Sequence, residues 1–234
     1  MRTPAAVMWD MDGTLVDSEP AWQRAAADLL AAHGATLAPD TAAALLGANM
    51  ETTASALRSA GVDAADDEII AALTVGVDAH LAEGFEIRPG AAALLTDLAS
   101  ASVPLALVSM SYRVLVDRIL AALPPVFATS IAGDEVSPGK PAPDAYLLAA
   151  SKLGVEPSEC LVIEDSPTGV AAGRAAGATV IAAPMHGPIP PQAHLALPTL
   201  AGVDAAALCR AYDSPTSLTP TPLIPASLHP KEHS

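Results

Sequence analysis

The chain has 234 residues, and its 11 Lys+Arg against 26 Asp+Glu leave a formal charge of −15 at pH 7. That is too few cations for a sequence-independent nucleic-acid footprint or an anionic membrane surface. With 51% hydrophobic, 16% charged and 3% aromatic residues, the apolar content is aliphatic and large enough for a core, which excludes a disordered chain.

Apolar runs such as 103–108 and 160–163 are much shorter than the roughly 20 residues of a membrane-spanning helix. The N-terminus carries one Arg, then Pro4 and a short run to Val7 that meets Asp10 and Asp12. It lacks the uninterrupted apolar stretch of a secretory leader, so a cytoplasmic location is expected. Cys160 and Cys209 lie among apolar neighbours and read as small buried side chains rather than a disulfide or zinc site.

Residues 5–9 form a compact apolar run that ends abruptly in Asp10-Met11-Asp12-Gly13-Thr14, the pattern of a buried strand running into a polar loop. Helical spacing follows over 20–33 (Trp22, Ala26, Leu29, Leu30) and stops at Gly34. Three further helical stretches reach Gly84, punctuated by Pro39, Gly47 and Gly61, so 17–85 is expected to be an all-helical insert. Beyond Arg88-Pro89-Gly90 helices alternate with apolar runs: helix 91–100, strand 103–109, helix 114–123, a strand near 128–132 and helix 143–153. Strand 160–164, helix 168–176, strand 178–182 and a short strand at 195–197 complete the series. Such alternation implies a parallel α/β sheet, doubly wound in the Rossmann-like manner with right-handed crossovers. The core is therefore expected at 1–16 and 86–212. Residues 213–234, rich in Pro, Ser and Thr without periodicity, are expected to be a disordered tail.

Ligands of such a sheet bind beyond the carboxyl ends of its strands. Those ends carry Asp10 and Asp12, then Ser109-Met110-Ser111, then Glu164-Asp165-Ser166, with Gly139-Lys140-Pro141 before the third crossover helix. Four carboxylates on one rim repel each other unless a cation sits among them, and all-oxygen ligation suits Mg²⁺. A magnesium ion beside Lys140, with helix N-termini after Ser111 and Ser166, makes a positive hole for a phosphate. Asp10 can then attack as a nucleophile, and Asp12, two residues on along an extended chain, can serve as acid and base.

Asp10-Met11-Asp12-Gly13-Thr14-Leu15-Val16-Asp17-Ser18-Glu19-Pro20, Ser109, Gly139-Lys140-Pro141-Ala142-Pro143-Asp144, and Val162-Ile163-Glu164-Asp165-Ser166-Pro167-Thr168-Gly169-Val170 resemble, in order, the four motifs of the haloacid dehalogenase superfamily. The match runs essentially over 1–208. The helical insert resembles the small cap of the group containing β-phosphoglucomutase and many sugar-phosphate phosphatases. The resemblance implies an aspartyl-phosphate mechanism, with Asp10 as nucleophile, Asp12 as acid/base, and Ser109 and Lys140 on the phosphoryl group. It also implies Mg²⁺ held by the Asp10 side chain, the Asp12 carbonyl and Asp165, with Glu164 close by.

Asp12 argues against C–halogen cleavage, because dehalogenases proper lack that second acid. Trp22 and Met50 stand where the resembling mutases carry His and Arg, which makes water the expected acceptor and a phosphatase the expected activity. The substrate is then expected to be a small phosphate ester such as a sugar phosphate, with a monomer as the working expectation. A sugar phosphomutase and a catalytically idle phosphate-binding protein are the alternatives.

Further residues carry two readings each. Arg113 is a surface charge or a second phosphate contact, and Met110 replaces the polar residue often seen after the motif's serine. Asp17 and Glu19 could cap the first helix or act near a hinge. Asp134 and Glu135 could orient Lys140 or sit in a solvated loop. Ser109 and Ser166 could be helix N-caps as well as phosphate ligands. Trp22 and Met50 read as packing residues of the insert, and Arg58 as one of its candidate specificity residues.

Overall fold

A computed structural model describes residues 2–45, 50–185 and 188–213. Gly47, His186 and all of the expected tail beyond Asp213 lie outside the described residues. Six strands form one parallel sheet: β1 (Ala6–Trp9), β4 (Leu105–Val108), β5 (Thr129–Ile131), β6 (Cys160–Glu164), β7 (Thr179–Ala182) and β8 (Leu195–Ala196), in the order β5-β4-β1-β6-β7-β8. A separate antiparallel pair, β2 (Val16–Asp17) and β3 (Glu86–Ile87), aligns Val16 with Ile87 and Asp17 with Glu86. The helices are α1 (Glu19–Ala32), α2 (Pro39–Ala44), α3 (Met50–Ser59), α4 (Asp66–Glu83), α5 (Ala91–Ser100), α6 (Arg113–Ala121), α7 (Asp144–Leu153), α8 (Pro167–Ala175) and α9 (Ala205–Asp213).

The register explains why the strands read as unbroken apolar runs. Val7 lies opposite Leu105 and Leu161, and Trp9 opposite Leu107 and Ile163. These residues share one face with Leu94, Leu98, Leu115, Ile119 and Leu208 of α5, α6 and α9. The alternate residues Ala6, Met8, Ala106, Val108 and Val162 face Tyr146 and Ala149 of α7 and Val170 and Ala172 of α8. Both faces are covered, so period-two alternation of polar and apolar residues has no reason to appear.

The strand and helix positions follow the expected order with shifted ends, and three elements were not foreseen: the paired short strands β2 and β3, the first of which takes in Asp17 of the insert expected to be all-helical, and α9. Helix α9 takes in Asp213, the first residue of the expected tail, and buries Leu208 and Tyr212. Its Ala-rich sequence beside a proline-rich stretch masked the period.

The helices α1–α4 lie between β2 and β3. Helix α1 approaches α4 closely at small residues: a Cβ on Gly76 would lie 3.0 Å from the Ala25 Cβ. Leu57, Ile69, Leu73 and Val77 join the same apolar cluster as Leu15 and Leu94, and Trp22 and Met50 pack against it. No described helix is long and apolar enough to cross a membrane.

Candidate active site

The rim of the sheet gathers its chemistry because β1, β4 and β6 are adjacent and parallel, so their carboxyl ends coincide. Asp10 continues β1 by donating its N–H to Ile163 O at 3.0 Å. Its Oδ1 accepts a hydrogen bond from Lys140 Nζ at 2.7 Å, whereas its buried Oδ2 has no partner among the described residues. Lys140 also donates to Glu164 Oε1 at 2.6 Å and to Val108 O at 3.0 Å, and its ammonium lies 5.0 Å from the Tyr146 ring centroid. A buried lysine therefore joins two buried carboxylates, each of which would be costly without it.

Glu164 is fully buried and saturated. Its Oε1 accepts from Lys140 and, at 2.7 Å, from the Tyr146 hydroxyl; its Oε2 accepts from the Asp165 and Ser166 N–H groups and from Ser166 Oγ. Ser166 Oγ in turn accepts the Gly169 N–H at 3.0 Å, so this serine does cap α8. Asp165 lies against Gly13, whose φ of +81° and missing side chain make room for it: a Cβ there would collide with Asp165 Oδ2.

One ligand atom each from Asp10, Glu164 and Asp165 falls within 4.8 Å of the others. Burial and the charge of Glu164 raise the pKa of Asp10 well above the ordinary carboxyl range, against the opposing effect of Lys140. The same two causes push Asp165 up to about 7. For Lys140 burial works downward, but Asp10 and Glu164 outweigh it and hold the ammonium well above its usual value. These directions describe a carboxylate cluster with one cation too few, and the unpartnered Asp10 Oδ2 fits the same description.

Asp12 stands apart from that trio. Its Oδ1 accepts from Ser18 Oγ at 2.6 Å, and its Oδ2 accepts from Ser109 Oγ and Ser111 Oγ, both at 2.8 Å. Ser109 Oγ also accepts the Ser111 N–H at 2.9 Å. Ser18 is the residue preceding α1, yet its side chain makes no capping bond. Its hydroxyl serves Asp12 instead, at a typical forgone stabilisation of about 1 kcal/mol. Neither Asp17 nor Glu19 occupies the cap position: Asp17 ends β2 and Glu19 opens the first helical turn, bonded to Gln23.

Several expected site residues are engaged elsewhere. The Arg113 guanidinium binds Ser130, Asp117 and, at 2.6 Å, Glu135, while its N–H is bonded to Asp134. Asp134 and Glu135 thus brace Arg113 at the start of α6 and do not orient Lys140. Ser109 is not the cap of α6, which Tyr112 precedes. The Met110 thioether accepts the Lys140 N–H at 3.2 Å and fills the space a side chain on Gly139 would need. A soft sulfur here braces the lysine loop through its apolar bulk.

A family model described as haloacid dehalogenase-like hydrolase matches residues 4–177. The chain belongs to the haloacid dehalogenase-like hydrolases. Among these it is 41% identical over 176 residues to hexitol phosphatase A of Escherichia coli (strain K12), covering 75% of this chain and 81% of that protein. It is 32% identical over 179 residues to fructose-1-phosphate phosphatase YqaB of the same organism, covering 74% and 93%. The structure of CbbY from Rhodobacter sphaeroides in complex with phosphate superposes with a TM-score of 0.79 at 30% identity, over 88% of this chain and 99% of that one.

Three residues of this haloacid dehalogenase-like site were not singled out from the sequence. Tyr146 is an aromatic residue in an otherwise Ala- and Leu-rich helix of a chain with 3% aromatics, six positions after Lys140, and that isolation was the available signal. Ser18 lies within the first motif, between Asp17 and Glu19, which drew the attention as charged cap candidates. Arg88, buried beside Pro89-Gly90, donates to Gly13 O at 2.7 Å and to Ala183 O. No local pattern announces a contact spanning 75 residues.

Proposed function

We propose that this protein is a Mg²⁺-dependent phosphomonoesterase that acts on a small phosphorylated metabolite of the sugar or polyol type through an aspartyl-phosphate on Asp10. The observation that carries this reading is the division of labour within one carboxylate: Asp10 Oδ1 is held by Lys140, and Oδ2 is buried with no partner. The named activities of the two relatives, a hexitol phosphatase and a fructose-1-phosphate phosphatase, support the substrate class.

Mg²⁺ would be held by the Asp10 and Asp165 carboxylates and the Asp12 carbonyl. Glu164, already receiving five donors, holds Lys140 and the Asp165 turn. Bound there, the ion supplies positive charge that offsets the repulsion between a carboxylate and a phosphoryl group.

Asp10 attacks phosphorus, and the bond from phosphorus to the ester oxygen breaks as Asp12 gives that oxygen a proton. Asp12, now ionised, takes a proton from the water that attacks the aspartyl-phosphate, releasing inorganic phosphate and restoring both acids. Lys140 offsets charge on the transferring group and keeps Asp10 in place. The serine cage around Asp12 suits both protonation states, because a hydroxyl that donates to a carboxylate can rotate and accept from a carboxylic acid. Residues 17–85 act in this reading as a cap that covers the site and excludes bulk water.

Asp10→Asn tests the assignment. The variant is expected to fold with an unchanged circular dichroism spectrum and to lose turnover of an aryl phosphate, and wild-type turnover would remove Asp10 as the nucleophile. EDTA should silence the wild-type enzyme and Mg²⁺ restore it.

A further inference from the structure

The cap of the proposed phosphatase carries most of the charge of the whole chain. Residues 17–85 contain two Lys+Arg, Arg24 and Arg58, against eleven Asp+Glu, so 2 − 11 = −9 of the total −15 resides there. Both cations are already paired within the cap: Arg24 lies 2.8 Å from Glu83, and Arg58 lies 3.0 Å from Asp66.

The core side offers little more. Arg113 is held by Asp117 and Glu135, and Arg118 makes a two-pronged bond of 2.7 Å on each arm to Asp78 of the cap helix α4. Lys152 and Arg174 fall in the last turns of α7 and α8. Helices that return from a parallel sheet's carboxyl edge end at its opposite edge, away from the rim. Lys140 is committed to Asp10, Glu164 and the transferring phosphoryl group, and the buried Arg88 to the carbonyls of Gly13 and Ala183 and the charge of Asp165.

An anion desolvated beneath a closing cap needs a cation or several donors of its own, and here it would meet a roof of net charge −9. We infer that the ester this enzyme takes carries its reacting phosphate as its only anionic group. The leaving group is uncharged, and 1,5- or 1,6-bisphosphates and phosphorylated hydroxy acids are rejected electrostatically. This rests on the phosphatase reading above and narrows it.

Matched pairs that differ only by CH₂OH against carboxylate test the inference without knowledge of the natural substrate. Glucitol 6-phosphate against 6-phosphogluconate, glycerol 3-phosphate against 3-phosphoglycerate, and hydroxyethyl phosphate against phosphoglycolate would each be measured with the Mg²⁺-loaded full-length enzyme as competitors of aryl phosphate hydrolysis. The uncharged member of each pair that competes is expected to bind at least about tenfold more tightly. The gap should narrow as salt is raised from about 0.02 to 0.5 M, because like-charge repulsion is screened over a few ångströms there.

Equal inhibition within pairs, competition by none of the uncharged members, or a gap insensitive to salt would overturn the inference and leave the phosphatase reading intact. Absence of aryl phosphate turnover would strike the reading beneath it instead.

Discussion

Tyr146 donates its phenolic hydrogen to Glu164 Oε1 at 2.7 Å, the same oxygen that receives Lys140 at 2.6 Å. A fully buried hydroxyl on α7 thereby helps to set the position of a lysine on the preceding loop. Burial and the charge of Glu164 raise the tyrosine's pKa well above normal, so it stays a donor throughout the working pH range. Tyr146→Phe keeps the ring beside the ammonium and removes only the donor. A hydrogen bond to a charged acceptor contributes about 1.5–3 kcal/mol, which in a chain of this size corresponds to a fall in melting temperature of roughly 3–10 °C. Turnover is expected to drop while the KM for aryl phosphate changes little, since in the proposed mechanism Lys140 acts on the transferring group. Calorimetry and steady-state kinetics on the one variant check both, and an unchanged melting temperature would show the bond to be dispensable.

Gly169 lies where a side chain would run into the Glu164 carboxylate, so a Cβ there overlaps all three carboxyl atoms. Backbone and carboxylate on the two sides of that contact cannot yield as a flexible side chain would. Gly169→Ala is expected to displace Glu164 and release its hold on Lys140, reducing kcat by about a hundredfold or more, as expected when charged groups near a reacting centre lose their placement. The companion variant Gly154→Ala, at a helix end with nothing within 4 Å, should lose only the stability that its left-handed φ of +68° requires. If both glycine variants retained activity alike, the steric account of Gly169 would be wrong.

Arg88, directly after β3, connects the antiparallel β2–β3 pair to the Gly13–Asp165 side of the site. Its own N–H is bonded to Leu15 O at 2.9 Å, while its guanidinium binds the carbonyls of Gly13 and Ala183 and faces the charges of Asp165 and Asp17. Arg88→Met leaves two buried carbonyls short of a donor, which costs about 3 kcal/mol in urea unfolding. Because Asp165 is seated on Gly13, the same variant should bind Mg²⁺ several-fold more weakly when titrated calorimetrically. A loss of stability with unaltered Mg²⁺ affinity would confine Arg88 to the scaffold.

The metal-free protein should become less stable as pH rises. Asp165 is pushed to about 7 from 3.8, by burial and by Glu164. Between those values the folded state binds more protons than the unfolded state, and the slope of stability against pH is negative. The contribution is fully present below about pH 4 and is lost as pH climbs through about 7. If Mg²⁺ binds as proposed, it takes the deprotonated folded form, so its addition should raise the melting temperature most near pH 8 and least near pH 5. Thermal scans with EDTA or Mg²⁺ across this range decide the matter, and a Mg²⁺ effect independent of pH would contradict it.

Local chemistry wrote much of this protein into its sequence. Unbroken apolar runs such as Cys160–Glu164 end in carboxylates because a strand buried on both faces can change polarity only where it leaves the sheet. Hence Asp10, Asp12, Glu164 and Asp165 could be placed just at or beyond strand ends, and Lys140 on the loop before a crossover helix, before any fold was known. Arg113, Asp134 and Glu135 sit at similar ends and carried two readings each from the sequence, because a residue's place at the rim does not say which partner its side chain finds there. Only the packed structure shows Arg113 bound to Ser130 and Glu135 and not turned to the phosphate hole.

What tertiary structure alone decided is which donors each carboxylate receives. Both oxygens of Glu164 are filled, by a tyrosine eighteen positions before it, the lysine twenty-four positions before it and its own following turn. Asp12 is caged by Ser18, six positions on, together with Ser109 and Ser111 from the end of β4, and Arg88 reaches across 75 residues to Gly13. Periodicity and turn chemistry act over a few residues and can place a charge on a rim. Pairing of charges in a desolvated site is settled by distances of about 3 Å between segments that meet only when the sheet has formed.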